Sequence, residues 1–147
     1  MMNMKKLIRA TAMTGVTLVA MGTSPLAHAE SPSSTGKAVA YAAGCPGDGR
    51  IARNHTCTSL SSGALFHQKF TNDKASTSYK KTGGSGIKAR LGFNRAGTNH
   101  WSGWFSQGGG TTKSYTWSGV TYCSSTVGLL QVSGQQTYQT PLATCTS

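Results

Sequence analysis

From Ile87 to Phe93 the chain alternates without a break: Ile87, Ala89, Leu91 and Phe93 are apolar, and Lys88, Arg90 and Gly92 stand between them. A period of two marks a β-strand with one buried face and fits no helix. Ala96-Gly97-Thr98-Asn99 is turn chemistry, and His100–Gln107 reads as the return strand. Three glycines, Gly108 to Gly110, turn the chain again into Lys113–Trp117, and all three tryptophans lie in this stretch.

The register of this hairpin follows from which residues must share a face. A three-residue loop, Gly97-Thr98-Asn99, sets Leu91 opposite Phe105, Phe93 opposite Gly103 and, on the other face, Trp104 opposite Gly92. Trp104 then stands outward over a bare glycine, with Arg90 beside it and Lys88 and His100 extending the patch. An indole flanked by cations is either a cover for the glycine or a stacking platform for a sugar or a protein.

The remaining apolar runs are short. Ala64–Thr71, Ser76–Lys81, Thr126–Ser133 and Gln136–Thr140 each read as a strand, with Asn, Gly and Pro turns between them. The lysines of Ser76–Lys81 suit an edge position. No segment beyond the first thirty residues has helical periodicity over three turns. The expected fold is all-β, a small antiparallel β-sandwich or flattened barrel of about seven strands.

Cys45, Cys57, Cys123 and Cys145 are an even set in a short chain, which reads as two disulfides. Three pairings are possible. Cys45–Cys57 and Cys123–Cys145 are favoured because each closes a local loop. The second would tie the last strand to the connection before its neighbour, and it is expected to carry more of the stability. No two cysteines have the spacing of a zinc site, so no metal is implied.

Residues 1–29 have the parts of a secretory signal peptide. Lys5, Lys6 and Arg9 open it, an apolar run spans Ala10–Met21, and Ala27-His28-Ala29 supplies the small residues of a cleavage site before Glu30. Residues 30–44 then form an expected flexible arm ahead of a disulfide-bonded β domain, 45–147. Within the arm, Lys37, Ala38, Val39, Ala40, Tyr41, Ala42 and Ala43 are mostly small and apolar; they either lean on the domain as a helical turn or strand, or fit a groove or sheet edge on a partner. Localisation is expected to be extracellular, with no transmembrane segment after signal removal.

Fourteen Lys and Arg face three acids, a net charge of +11. Three of the cations leave with the signal and all three acids stay, so the chain remains basic. Such a surface serves solubility, or it suits anionic partners: wall polymers, lipid head groups, extracellular nucleic acid or an acidic protein. Catalytic chemistry is poorly served: Glu30, Asp48 and Asp73 are too scattered for a carboxylate pair across one cleft. No nucleophile elbow, phosphate loop or nucleic-acid motif is present, and no cofactor is implied.

Cys57-Thr58-Ser59-Leu60, Ile87–Phe93, Trp117, Gly128-Leu129-Leu130 and Thr137-Tyr138-Gln139-Thr140-Pro141 together resemble a family of small secreted two-disulfide β proteins of actinomycete-like bacteria. More loosely, the arm and compact domain are similar to the adaptor subunits of umbrella-shaped secreted antibacterial toxin particles, whose N-terminal arm inserts into a lectin-like subunit. That resemblance implies a non-enzymatic protein-interaction module docking through Lys37–Ala43. The alternatives are a wall or carbohydrate binder using Lys88, Arg90, His100 and Trp104, and a basic antimicrobial protein.

Overall fold

The structure, a computed structural model, describes residues 44–146. The expected signal peptide and the docking segment Lys37–Ala43 lie outside the described residues.

Two antiparallel sheets pack face to face. The first runs in the order β1 (Arg50–Ala52), β2 (His55–Leu60), β3 (Gly63–Phe70), β4 (Lys74–Lys81) and β8 (Thr111–Ser118). The second runs β10 (Thr137–Gln139), β9 (Val127–Val132), β5 (Ile87–Arg95) and β6 (Thr98–Trp101), with β7 (Phe105–Gln107) also paired to β5. The alternating run of the sequence is thus β5, the strand to which β6, β7 and β9 all bond. Its apolar residues point inward and meet β3 and β4 in one core of Leu65, Tyr79, Ala89, Leu91, Leu130 and Val132.

The fold is the expected all-β sandwich, but the described residues hold ten strands rather than about seven. Two were read as loop. Along β2 the inward positions are Thr56, Thr58 and, at the strand's end, Leu60; the two threonine hydroxyls donate to Pro141 O (3.0 Å) and Gln139 O (2.8 Å) of the chain crossing from the other sheet. Hydrogen bonds do there what apolar contacts do elsewhere, so the strand carries no hydrophobic alternation. The third extra strand comes from the splitting of His100–Gln107 into β6 and β7. β4 also departs from its expected place: it is not an edge, because β8 pairs with it at all eight residues.

The disulfides are Cys45–Cys57 and Cys123–Cys145. Cys57 lies inside β2 and Cys45 is 1% exposed, packed with Ala64 and Phe66 on the outer face of the first sheet. Cys123 is exposed; its bond ties the segment after β10 to the connection leading into β9.

Candidate functional site

The outward patch forms around a bulge. β5 and β6 turn through two residues, Ala96 and Gly97, with φ of +49° and +82°. This sets Gly92 opposite Trp101 and Phe93 opposite His100. Further along, Ala89 pairs with Phe105 of β7, one residue out of step. The extra residue lies in Ser102-Gly103-Trp104, which faces Arg90 and Leu91. Ser102 holds the gap closed: its N–H donates to Leu91 O (2.8 Å) and its Oγ accepts from Leu91 N (3.0 Å). Side chains three apart on a regular strand point to opposite faces; one inserted residue puts Trp101 and Trp104 on the same side.

Both indoles flank Arg90. Its guanidinium carbon lies 4.5 Å from the Trp101 ring centroid and 4.9 Å from that of Trp104. Its Nε donates to Gln131 Oε1 at 2.7 Å, which fixes the plane of the fork. Trp101, not Trp104, covers Gly92: a Cβ there would meet Trp101 Cε3 at 2.5 Å and His100 O at 2.7 Å. With Trp101 taking the covering role, Trp104 is left 45% exposed.

Of the four residues expected in the patch, Lys88, Arg90 and Trp104 share this side and His100 does not. The two-residue turn flips its parity, and its ring stacks on Phe93 of the inner face, 4.5 Å between centroids and 10° between planes. Trp101 takes its place in the patch. The one cue to this in the sequence is Gly103, a glycine inside a strand pattern, which marks a bulge.

Two hollows border the patch. On the outer face of the second sheet, Asn94, Asn99, Thr137 and Gln139 rim a trough of about 410 Å³ over Val127 and Leu129. On the other side of Trp104, a cleft of about 310 Å³ opens between the two sheets, lined by Leu91, Phe105, Lys113 and Tyr115 as well as Trp104. Amides and hydroxyls beside an indole suit sugar hydroxyls; aromatic walls suit apolar side chains or sugar faces.

His67, Lys69, Asp48 and Asp73 make hydrogen bonds within the fold. His67 is fully buried, its ring nitrogens bonded to Thr77 Oγ1 (2.8 Å) and Thr126 Oγ1 (2.9 Å). Burial first, and then the nearby charge of Lys69, push its pKa down to about 4, so the ring is neutral at neutral pH. Lys69 donates to Ser124 O, and its own pKa is lowered by burial. Asp48 accepts from Arg50 N and Asp73 from Tyr122 N. Among the described residues no three His, Cys, Asp or Glu side chains converge to hold a metal ion.

No protein-family model matches the chain, and no characterised protein or solved structure matches it significantly.

Proposed function

We propose that the chain is a secreted, non-enzymatic protein-interaction module that docks a partner protein through Lys37–Ala43. The observation carrying this reading is the anchorage of the segment's root. Cys45, two residues past Ala43, is buried and bonded to the middle of β2. A partner holding the segment is therefore coupled to the rigid first sheet, with little slack between. The structural employment of His67, Asp48 and Asp73 supports the non-enzymatic part. Two disulfides suit an oxidising compartment, in line with the signal-like residues 1–29. The resemblance to adaptor subunits of umbrella-shaped toxin particles fits the same role. Intact protein and a form lacking Lys37–Ala43 are each used to recover partners from culture medium. Recovery of one secreted protein by the intact form and its loss with the deletion is expected; equal recovery by both refutes the reading.

A second reading, a wall-polymer or carbohydrate binder, is favoured by Arg90 stacked between Trp101 and Trp104 beside the amide-rimmed trough. It predicts binding to purified wall polymer that survives deletion of Lys37–Ala43 and weakens with Trp104→Ala. Loss of all binding in modest salt would assign it to charge alone.

A further inference from the structure

Among the described residues each sheet ends in strands with one unpaired side, and an unpaired side is a template for another chain unless it is blunted. Three of the four ends are blunted here. β1 is three residues long with a register break between Arg50 and Ala52. β10 is three residues long and is followed shortly by Pro141. β6 and β7 are short and interrupted by Ser102-Gly103-Trp104. β8 is longer and more regular. It is eight residues long and pairs with β4 one-to-one from Lys74–Ser118 to Lys81–Thr111, with no bulge. Seven of its eight residues are exposed, and Lys113 is its one charge. Its composition, Thr-Thr-Lys-Ser-Tyr-Thr-Trp-Ser, is rich in strand-forming residues.

The cleft of about 310 Å³ lies along this edge, with Tyr115 at 47% and Trp104 at 45% exposure on its walls and buried Leu91 in its lining. An edge supplies main-chain bonds, and a neighbouring apolar cleft supplies side-chain selection; together they are the two halves of recognition by strand addition.

We infer that β8 accepts an extended, acidic segment of a partner protein as an added strand, one of whose apolar side chains fills the cleft between Trp104 and Tyr115. Charge selects this occupant over a second copy. Lys113 lies on the edge itself, and Lys88 and Arg90 lie on β5 of the facing sheet, Arg90 against Trp104 of the cleft wall. The chain carries +11, so two copies repel where an acidic segment is drawn in. The inference does not rest on docking through Lys37–Ala43.

The experiment titrates the full, oxidised chain, isotope-labelled, with a synthetic ten-residue peptide alternating glutamate with valine or tyrosine. Amide exchange and chemical shifts are followed by NMR. Slowed exchange confined to Thr111–Ser118, with shifts at Trp104 and Phe105, is expected. An analogue with the same side chains and N-methylated amides should bind at least about 10-fold more weakly, and Trp104→Ala should weaken the parent peptide by a similar factor. Deleting Lys37–Ala43 should leave both results unchanged. Failure of the peptide to bind, equal binding of the N-methylated analogue, or protection mapping to another strand overturns the proposal. So does concentration-dependent protection of β8 without peptide, which would make a second copy the occupant.

Discussion

Where β2 meets the segment after β10, hydrogen bonds join the two sheets and both disulfides lie close by. Cys45–Cys57 is buried against the first sheet, Thr56 and Thr58 bond to the chain around Pro141, and Asn54 Nδ2 donates to Tyr122 O (3.1 Å) beside Cys145. On the opposite side, where β8 faces β6 and β7, there is no disulfide. The joint there is made by the Gln107 amide, which donates to Tyr79 O (3.0 Å) and Thr111 O (2.9 Å), by the Trp117 ring against Phe93 (5.1 Å between centroids) and by Arg95 Nη1 donating to Gly119 O (3.3 Å). Exposed aromatics and an open cleft occupy the remainder. The fold concentrates its stability on one side, and the other is thereby free to present unsatisfied surface. Residues of the same kinds, a ring among polar partners, become structure on the closed side (His67) and candidate binding groups on the open one (Trp104).

The largest expected effect tests the closed side. Replacing both Cys45 and Cys57 by Ala should lower the unfolding free energy by roughly 4 kcal/mol. About 3 of this comes from loop closure and the rest from lost packing in a buried cluster. The matching change at Cys123 and Cys145 should cost about 3 kcal/mol or less, since its sulfurs bury little. Urea unfolding of both variants checks the order, which burial makes the reverse of the order expected from the sequence. A larger loss from the C-terminal pair would restore the order expected from the sequence; a loss below about 1 kcal/mol from both pairs would break the comparison.

Next comes pH. The His67 pKa is about 4 folded and 6.5 in the unfolded chain. Above pH 6.5 both states are neutral and the full stability is present. As pH falls from 6.5 towards 4 the unfolded chain takes up a proton that the folded one refuses. Stability should therefore drop by about 3 kcal/mol over that window and no further from this group below it. Denaturant midpoints at pH 7, 5 and 4, with the His67 ring followed by NMR, read this directly.

On the open side the effects on stability shrink. Gly92→Ala should cost about 2 kcal/mol, because its methyl group strikes the Trp101 ring and a carbonyl. Displacement of Trp101 resonances would accompany it. Trp104→Ala should change stability by less than about 1 kcal/mol. A loss as large as that of the buried disulfide would show that Trp104 belongs to the core, and the contrast between the sides would fail.

Much of the closed side was legible in the sequence. Local loop closure pointed to the correct cysteine pairs, and the alternation of β5 located the strand to which most of the second sheet bonds. What stayed hidden has common physical causes. β2 buries threonines that are satisfied by hydrogen bonds, and His67 and Lys69 occupy inward positions of β3, so hydrophobic patterning does not report them. The turn at Ala96 places a non-glycine residue at positive φ, which L-residues adopt rarely. An odd loop was therefore the natural choice, and the parity of His100 followed it. The bulge at Gly103 then returned Trp104 to the side of Lys88 and Arg90, although the expected pairing was wrong along the whole hairpin: Phe105 lies opposite Ala89, not Leu91, and Gly92 faces Trp101, not Trp104.

The position of β8 bears on the order in which the chain can assemble. β1 to β4 are consecutive, each bonded to the next, while β8 reaches β4 only after β5, β6 and β7 have intervened. A chain that has formed the first four strands and awaits the fifth exposes β4 along its whole length. That temporary rim carries Lys74, Lys80 and Lys81. In the finished sheet these lysines have no edge to guard. During folding they would repel a second unfinished chain at the moment when intermolecular pairing is the chief hazard.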